Sequence, residues 1–238
     1  MGNYFETGGK LWYSKRERTP PRAGEEEEHN MKYMVERKKL CAIGRKLWER
    51  GMVSANDGNL SLRCDRDRYL ITPAGVSKGE LTPDMILLVD GTGEKLDEGC
   101  PWEPTSELAL HLMCYESRPG VGAVCHTHAP AATAFACCRR PIPGDVLSEA
   151  AMSHGEVPCA PYAKTGTKEL VKAVEPYVVG HEAVLLANHG VLTTGRTLEE
   201  AYATMERVEH TARISLYTAQ LGGGTPLSAE EKKELNRK

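Results

Sequence analysis

Val124-Cys125-His126-Thr127-His128 is an apolar run that ends in two histidines one residue apart, and Leu185-Leu186-Ala187-Asn188-His189-Gly190 downstream is a second apolar run that ends in a third. Short apolar runs of this kind read as strands. Side chains on a strand alternate between its faces, so His126 and His128 leave the same face and can close on one ion. His189, at the end of the second strand, would complete a set of three imidazoles, which makes an open metal site. Glu107, in Pro104-Thr105-Ser106-Glu107, is a fourth candidate, because a carboxylate is an acceptable ligand and also able to move protons. Strands that deliver such groups, with helical segments between them, predict a layered α/β body.

Singly, each of these residues has a plainer use. An isolated H-x-H near a strand end is often satisfied by a backbone partner or by water. Asn188-His189-Gly190 has the composition of an ordinary turn, with Asn and Gly supplying unusual backbone angles. Glu107 would sit well in the first turn of a helix, where the dipole favours negative charge. Their occurrence together, each at a strand end or a helix start, favours the metal.

Composition narrows the classes of function. A chain of 238 residues, 40% hydrophobic and 26% charged, can bury a substantial core as one domain. The net charge is −3 and Lys and Arg are scattered, which argues against a nucleic-acid partner. No stretch approaches the roughly 20 apolar residues of a membrane span. The polar N-terminus also lacks the apolar core of a secretion signal, so no membrane association and a cytoplasmic location are expected. The eight cysteines contain no C-x-x-C pair and several lie in apolar runs, which predicts reduced thiols that pack as small hydrophobes.

Residues 1–30 carry Thr19-Pro20-Pro21-Arg22-Ala23-Gly24 and Glu25-Glu26-Glu27-Glu28 with little apolar periodicity, and are expected to form a disordered extension. The body is then 31–238. Apolar spacing predicts a first helix from Met31 through Trp48 with Gly51 as its stop. Strands follow at Asn59–Arg63, Tyr69–Thr72 and Met85–Val89. A helix from Ser106 to about Tyr115 precedes the strand Val121–Cys125 that delivers His126. Pro130 opens another helix to Cys138, and Ala183–Ala187 is the strand before His189. Thr197-Leu198-Glu199-Glu200 has the spacing of a capping box at the start of a long helix ending at Gly222-Gly223-Gly224.

Six segments together, Asp57-Gly58-Asn59-Leu60-Ser61, Ile71-Thr72-Pro73-Ala74-Gly75, Thr105-Ser106-Glu107, His126-Thr127-His128, Pro158-Cys159-Ala160-Pro161-Tyr162 and Asn188-His189-Gly190, resemble in order and spacing the class II aldolase and adducin family. Within it, the chain is similar to zinc aldolases of the L-fuculose-phosphate aldolase type, over Met31 to about Leu227. The resemblance implies a single catalytic domain with a central, mainly antiparallel sheet flanked by helices on both faces. It also implies a homotetramer with active sites at subunit interfaces. One zinc per chain would be held by His126, His128 and His189. Glu107 would ligate the empty metal and become the base when substrate arrives. Asn59, Gly75, Thr105 and Ser106 fall where such enzymes bind the substrate phosphate, and loop and helix-start donors suit a dianion. Tyr217 resembles a C-terminal tyrosine that gives a proton to the aldehyde oxygen in a neighbouring subunit's site.

The implied reaction is reversible cleavage of a ketose 1-phosphate, fuculose 1-phosphate or a deoxypentulose phosphate, to dihydroxyacetone phosphate and an aldehyde. Three positions depart from the fuculose-type pattern: Leu147 stands for a second active-site tyrosine, Ala74 for a threonine of the phosphate loop, and Asn188 for a different polar neighbour of the last ligand. A leucine offers a substrate hydroxyl no hydrogen bond, which favours a smaller aldehyde such as acetaldehyde. Glu149 and His154 lie in the same variable loop without an assigned role. Two sister activities share the fold and metal, ribulose-phosphate 4-epimerase and methylthioribulose-phosphate dehydratase; Ala150-Ala151-Met152-Ser153 has no acid where the epimerases carry aspartate. The adducin branch keeps the fold as a scaffold without metal chemistry, so fold alone does not settle activity.

Overall fold

Leu60, Leu70, Leu88, Cys125, Leu185 and Val191 pack into one buried cluster, whereas their neighbours Ile71, Leu87, Val89, Val124, Val184 and Leu192 pack into another. This alternation, apolar on both sides, is the pattern of strands covered on both faces. A computed structural model describes residues 33–97 and 100–235; the extension expected over 1–30 lies outside the described residues. The strands are β1 Asn59–Asp65, β2 Arg68–Ile71, β3 Leu87–Val89, β4 Ala123–Thr127, β5 Cys159–Ala160, β6 Ala183–Leu186 and β7 Gly190–Gly195. They form one sheet in the order β3-β2-β1-β4-β7-β6-β5. Every pairing is antiparallel except β5 with β6.

Helices α1 (Met34–Glu49), α3 (Pro130–Cys137) and α6 (Leu198–Gln220) cover one face. Helices α2 (Leu108–Ser117) and α5 (Lys168–Val178) cover the other. Two short helices, α4 (Ser148–Met152) and α7 (Ala229–Leu235), lie outside these layers. The expected mainly antiparallel sheet with helices on both faces is therefore present. In α1 the buried residues Leu40, Ile43 and Leu47 make the inward stripe, while the apolar Val35 and Trp48 point outward at 62% and 49% exposure. At the start of α6 the Thr197 hydroxyl accepts from Glu200 N at 3.1 Å, and the Glu200 carboxylate accepts from Arg196 N at 2.9 Å. The return bond thus falls one residue before its usual place in a capping box.

Several boundaries differ from expectation, two of them for a reason the hydrogen bonds show. The strand expected from Met85 begins at Leu87, because Pro83–Met85 wind into a 3-10 turn closed by Met85 N on Thr82 O at 3.0 Å. Helix α2 begins at Leu108 instead of Ser106, because Leu108 N closes on Thr105 O at 3.1 Å and leaves Glu107 as the cap. All eight cysteines are free, and burial pushes the Cys114 and Cys125 thiols up to about 12, as expected of reduced, unreactive packing residues.

Candidate active site

Strand β4 is the fourth of seven, and its end is the centre of the site. His126 pairs across the sheet with Asn59 of β1 and with Leu192 of β7. Its side chain emerges on the α2 face with Val124. His128 lies just past the end of β4, and His189 lies in the turn between β6 and β7. The three histidines thus lie at or just past strand ends, although the strand expected over Val121–Cys125 runs from Ala123 to Thr127 and takes in His126. In the β6–β7 turn Asn188 adopts a left-handed backbone, φ 57°, a conformation asparagine tolerates better than most residues. Its N–H bonds Ala136 O at 3.0 Å and its Oδ1 accepts from Arg139 Nε at 3.0 Å, so the end of α3 fixes the turn and with it His189.

These three elements bring one nitrogen from each imidazole within 4.8 Å of the others. Gly190 makes the convergence possible. A Cβ there would stand 2.4 Å from Thr127 O, 2.8 Å from His128 Cδ2 and 3.1 Å from His126 Cε1.

Glu107 reaches the cluster from the cap of α2, with Oε2 at 3.2 Å from His126 Nε2 and Oε1 at 3.6 Å from His189 Nε2. His126 Nδ1 donates to Val191 O at 3.0 Å, which leaves its Nε2 with a free lone pair. His126 Nε2, His189 Nδ1 and Glu107 Oε1 are all buried without a hydrogen-bond partner. Burial holds His126 down at about 4 and lowers His189 as well. Burial would raise Glu107, but the neighbouring His126 and His189 and the hydrogen bond from Asn59 outweigh it and the carboxyl stays low. His126 and His189 are thus pushed toward the neutral form beside a carboxyl held low. Buried acceptors seldom stay unpaired, and a cation shared by His126 Nε2 and Glu107 Oε1 with one nitrogen each of His128 and His189 would satisfy them. His128 Nδ1 faces Asp57 Oδ2 at 3.3 Å, a carboxylate able to hold the ring's orientation. The loop that carries Asp57 is tied down by the buried Lys78, whose Nζ donates to Asn56 O at 3.0 Å.

Of the four residues expected around a phosphate, Thr105, Ser106 and Gly75 lie on two loops that run side by side, joined by Thr105 N on Thr72 O at 3.3 Å and Ala74 N on Glu103 O at 2.9 Å. Gly75 has φ 74° and, like Ser106, is exposed. Asn59 stands behind them, 5% exposed, with its amide nitrogen donating to Thr105 Oγ1 at 3.1 Å and to Glu107 Oε2 at 3.0 Å. A cavity of about 870 Å³ between α2 and α5 takes in Thr105 and Ser106.

Tyr217 is 62% exposed near the end of α6. It lies twelve residues beyond Met205, whose Sδ accepts from Thr127 Oγ1 in the site strand. That is about 18 Å along the helix, so Tyr217 is remote from its own chain's histidines. Leu147 caps α4 and Glu149 is exposed. His154 Nδ1 donates to Gly155 O at 2.7 Å and its Nε2 meets Thr211 Oγ1 at 3.2 Å, so it belongs to a separate cavity beside α6. Sequence reading missed Asp57, Ser61, His111 and Tyr115. The available signal was polar residues at alternate strand positions and at fourfold helical spacing within otherwise apolar segments.

Residues 38–216 match the model of the class II aldolase and adducin N-terminal domain. An L-fuculose phosphate aldolase of Escherichia coli O6:H1 is 37% identical, over 76% of this chain and 82% of its own length. A 5-methylthioribulose-1-phosphate/5-deoxyribulose-1-phosphate aldolase of Rhodospirillum rubrum is 36% identical, over 84% and 88%. A 3-oxo-tetronate 4-phosphate decarboxylase of Haemophilus influenzae is 30% identical, over 76% and 87%. Among solved structures, an L-fuculose 1-phosphate aldolase superposes with a TM-score of 0.77 at 33% identity, covering 84% of this chain and 93% of that one. With the expected sheet and the histidine cluster in place, these matches establish that the chain belongs to the class II aldolase and adducin family.

Proposed function

We propose that the chain is a zinc-dependent aldolase that reversibly cleaves a ketose 1-phosphate to dihydroxyacetone phosphate and an aldehyde. The carrying observation is the convergence of three imidazoles on the buried, unpartnered His126 Nε2 and Glu107 Oε1. His126, His128 and His189 with Glu107 form a nitrogen-rich, borderline-soft donor set that suits one zinc per chain. When bound, the metal would supply Lewis-acid stabilisation of the negative charge that develops on the substrate oxygens. Glu107 takes a proton from the hydroxymethyl carbon of dihydroxyacetone phosphate in the synthetic direction and returns it in cleavage. Its low proton affinity keeps it ready to accept, and Oε1 is the oxygen left without a partner. Thr105, Ser106 and Gly75 receive the phosphate, and Asn59 braces Thr105 and Glu107 from behind. Tyr217 protonates the aldehyde oxygen in an adjacent subunit of a homotetramer; its exposure and its distance along α6 support a use in another chain.

Leu147 in place of a hydrogen-bonding group favours a small aldehyde, and the name of the Rhodospirillum rubrum relative, a deoxyribulose-phosphate aldolase, points the same way. The test is to incubate zinc-reconstituted protein with dihydroxyacetone phosphate and either acetaldehyde or 2-hydroxypropanal. The deoxypentulose phosphate is expected to form faster. Absence of any aldol product, together with no exchange of the hydroxymethyl proton, would dismiss the reading in favour of the decarboxylase, epimerase, dehydratase or scaffold roles known or expected in the family.

A further inference from the structure

Glu107, His111 and Tyr115 recur every fourth residue along α2 and its cap, and Asn59, Ser61 and Arg63 occupy alternate positions of β1. Four helical residues advance about 6 Å, and two strand residues about 6.8 Å. The two rows therefore stay in step and meet rung by rung. Asn59 Nδ2 donates to Glu107 Oε2 at 3.0 Å, and His111 Nε2 lies 2.6 Å from Asn59 Oδ1. Ser61 Oγ lies 2.7 Å from His111 Nδ1 and 2.6 Å from the Tyr115 hydroxyl. At the far end Arg63 Nη2 donates to Tyr115 O at 2.7 Å, with its guanidinium 5.0 Å from the Tyr115 ring centroid.

One arrangement of protons satisfies this chain. An ionised carboxylate only accepts, so the Asn59 amide must turn its NH₂ to Glu107 and its oxygen to His111. His111 Nε2 then carries the hydrogen and Nδ1 accepts from Ser61, whose oxygen accepts from Tyr115. Asn59, Ser61, His111 and Tyr115 are all buried, and burial keeps His111 neutral, down at about 3. Apolar side chains of similar volume would fill the α2–β1 contact at least as stably, so a four-residue polar chain needs another reason. Its inner end is the Glu107 carboxylate, and it secures one oxygen of that group while the other stays unpartnered.

We propose that His111 is a positioning residue: acting through Asn59, and held in one tautomer by Ser61 and Tyr115, it fixes the rotation of the Glu107 carboxylate so that Oε1 faces the histidine cluster. This rests on the part given to Glu107 under Proposed function. A double-mutant cycle tests it, with wild type, His111→Leu, Asn59→Ala and the double variant each measured for zinc affinity by chelator competition and for proton exchange on dihydroxyacetone phosphate. His111→Leu is expected to weaken zinc about 10-fold and to slow exchange at least as much, the size usual for a partner of a metal ligand. In the Asn59→Ala background it should change neither quantity further. His111→Gln, which can still donate to Asn59 and accept from Ser61, should recover most of the loss. Losses that multiply in the double variant would overturn the proposal, as would unaltered zinc affinity in His111→Leu. Should His111→Leu fail to fold, Tyr115→Phe takes its place in the cycle with the same two outcomes. If wild-type protein binds zinc but exchanges no proton, the aldolase reading falls while the zinc cycle still decides the part of His111.

Discussion

Glu107 has one oxygen bonded to Asn59 and one without a partner, and under the proposed mechanism that asymmetry separates holding from reacting. Glu107→Gln keeps the shape and the bond-accepting oxygen but not the basicity. It should retain most of the zinc while losing about 10²–10⁴-fold in proton exchange, the range of general-base catalysis; metal analysis beside the exchange assay checks both halves. Gly190→Ala should act differently, since its Cβ cannot fit against Thr127 O and the two rings. Loss of zinc affinity with the fold retained is expected, and tight zinc binding in that variant would count against the close packing seen here. His126, His128, His189 and Glu107 were legible in the sequence because apolar runs that stop at a histidine are rare and carry their own period. His111, Ser61 and Asp57 were not, because a polar residue within an amphipathic segment looks the same whether it meets water or a partner on another element.

Helix α3 begins two residues after His128, and its first N–H groups would be buried without intrahelical partners. Glu209, itself 2% exposed on α6, accepts from Ala131 N at 3.1 Å and Ala132 N at 2.9 Å, and Arg213 Nε reaches it at 2.8 Å. A remote helix thereby caps the element that follows β4 and His128. Glu209→Ala should destabilise the protein by about 2–3 kcal/mol, the scale of lost bonds to a buried charge. Denaturant unfolding would register it, and an unchanged midpoint would mean that water replaces the cap. The element boundaries that sequence misplaced have a common cause. Strand β6 ends one residue short of the expected Ala187, and α2 gave up Ser106, because strand and helix ends are set by which backbone groups find partners, Asn188 on Ala136 and Leu108 on Thr105. Side-chain periodicity does not carry that information.

At the scale of the whole molecule, several imidazoles among the described residues resist protonation, most strongly His111 at about 3 and His126 at about 4 against an ordinary 6.5, chiefly because both are buried. The unfolded chain takes up protons at these positions as pH falls below about 6.5 while the folded chain does not, so stability present above that value is lost on acidification. The urea midpoint of the metal-free protein should be lower at about pH 5 than at neutral pH, and a flat profile would contradict the burial of these rings. Assembly gives the second test at this scale. If Tyr217 serves an adjacent chain, inactive Glu107→Gln and inactive Tyr217→Phe subunits should regain part of their activity when mixed under conditions that exchange chains. Verified mixed oligomers that stay inactive would return Tyr217 to the surface.

The α/β class, the positions of most strands, the three candidate ligand histidines and the capped start of α6 followed from sequence, because each is written in local periodicity or in residues whose chemistry narrows their use. Only the tertiary structure decided that Asn59 turns inward to Glu107, that His154 belongs to another cavity, and that α2 and β1 run in step so that a buried chain of hydrogen bonds ends on the carboxylate. Those facts depend on which segments become neighbours across the sheet. Strand order β3-β2-β1-β4-β7-β6-β5 sets those neighbours, and it is fixed by the joint burial of both faces, which no single stretch of the chain encodes.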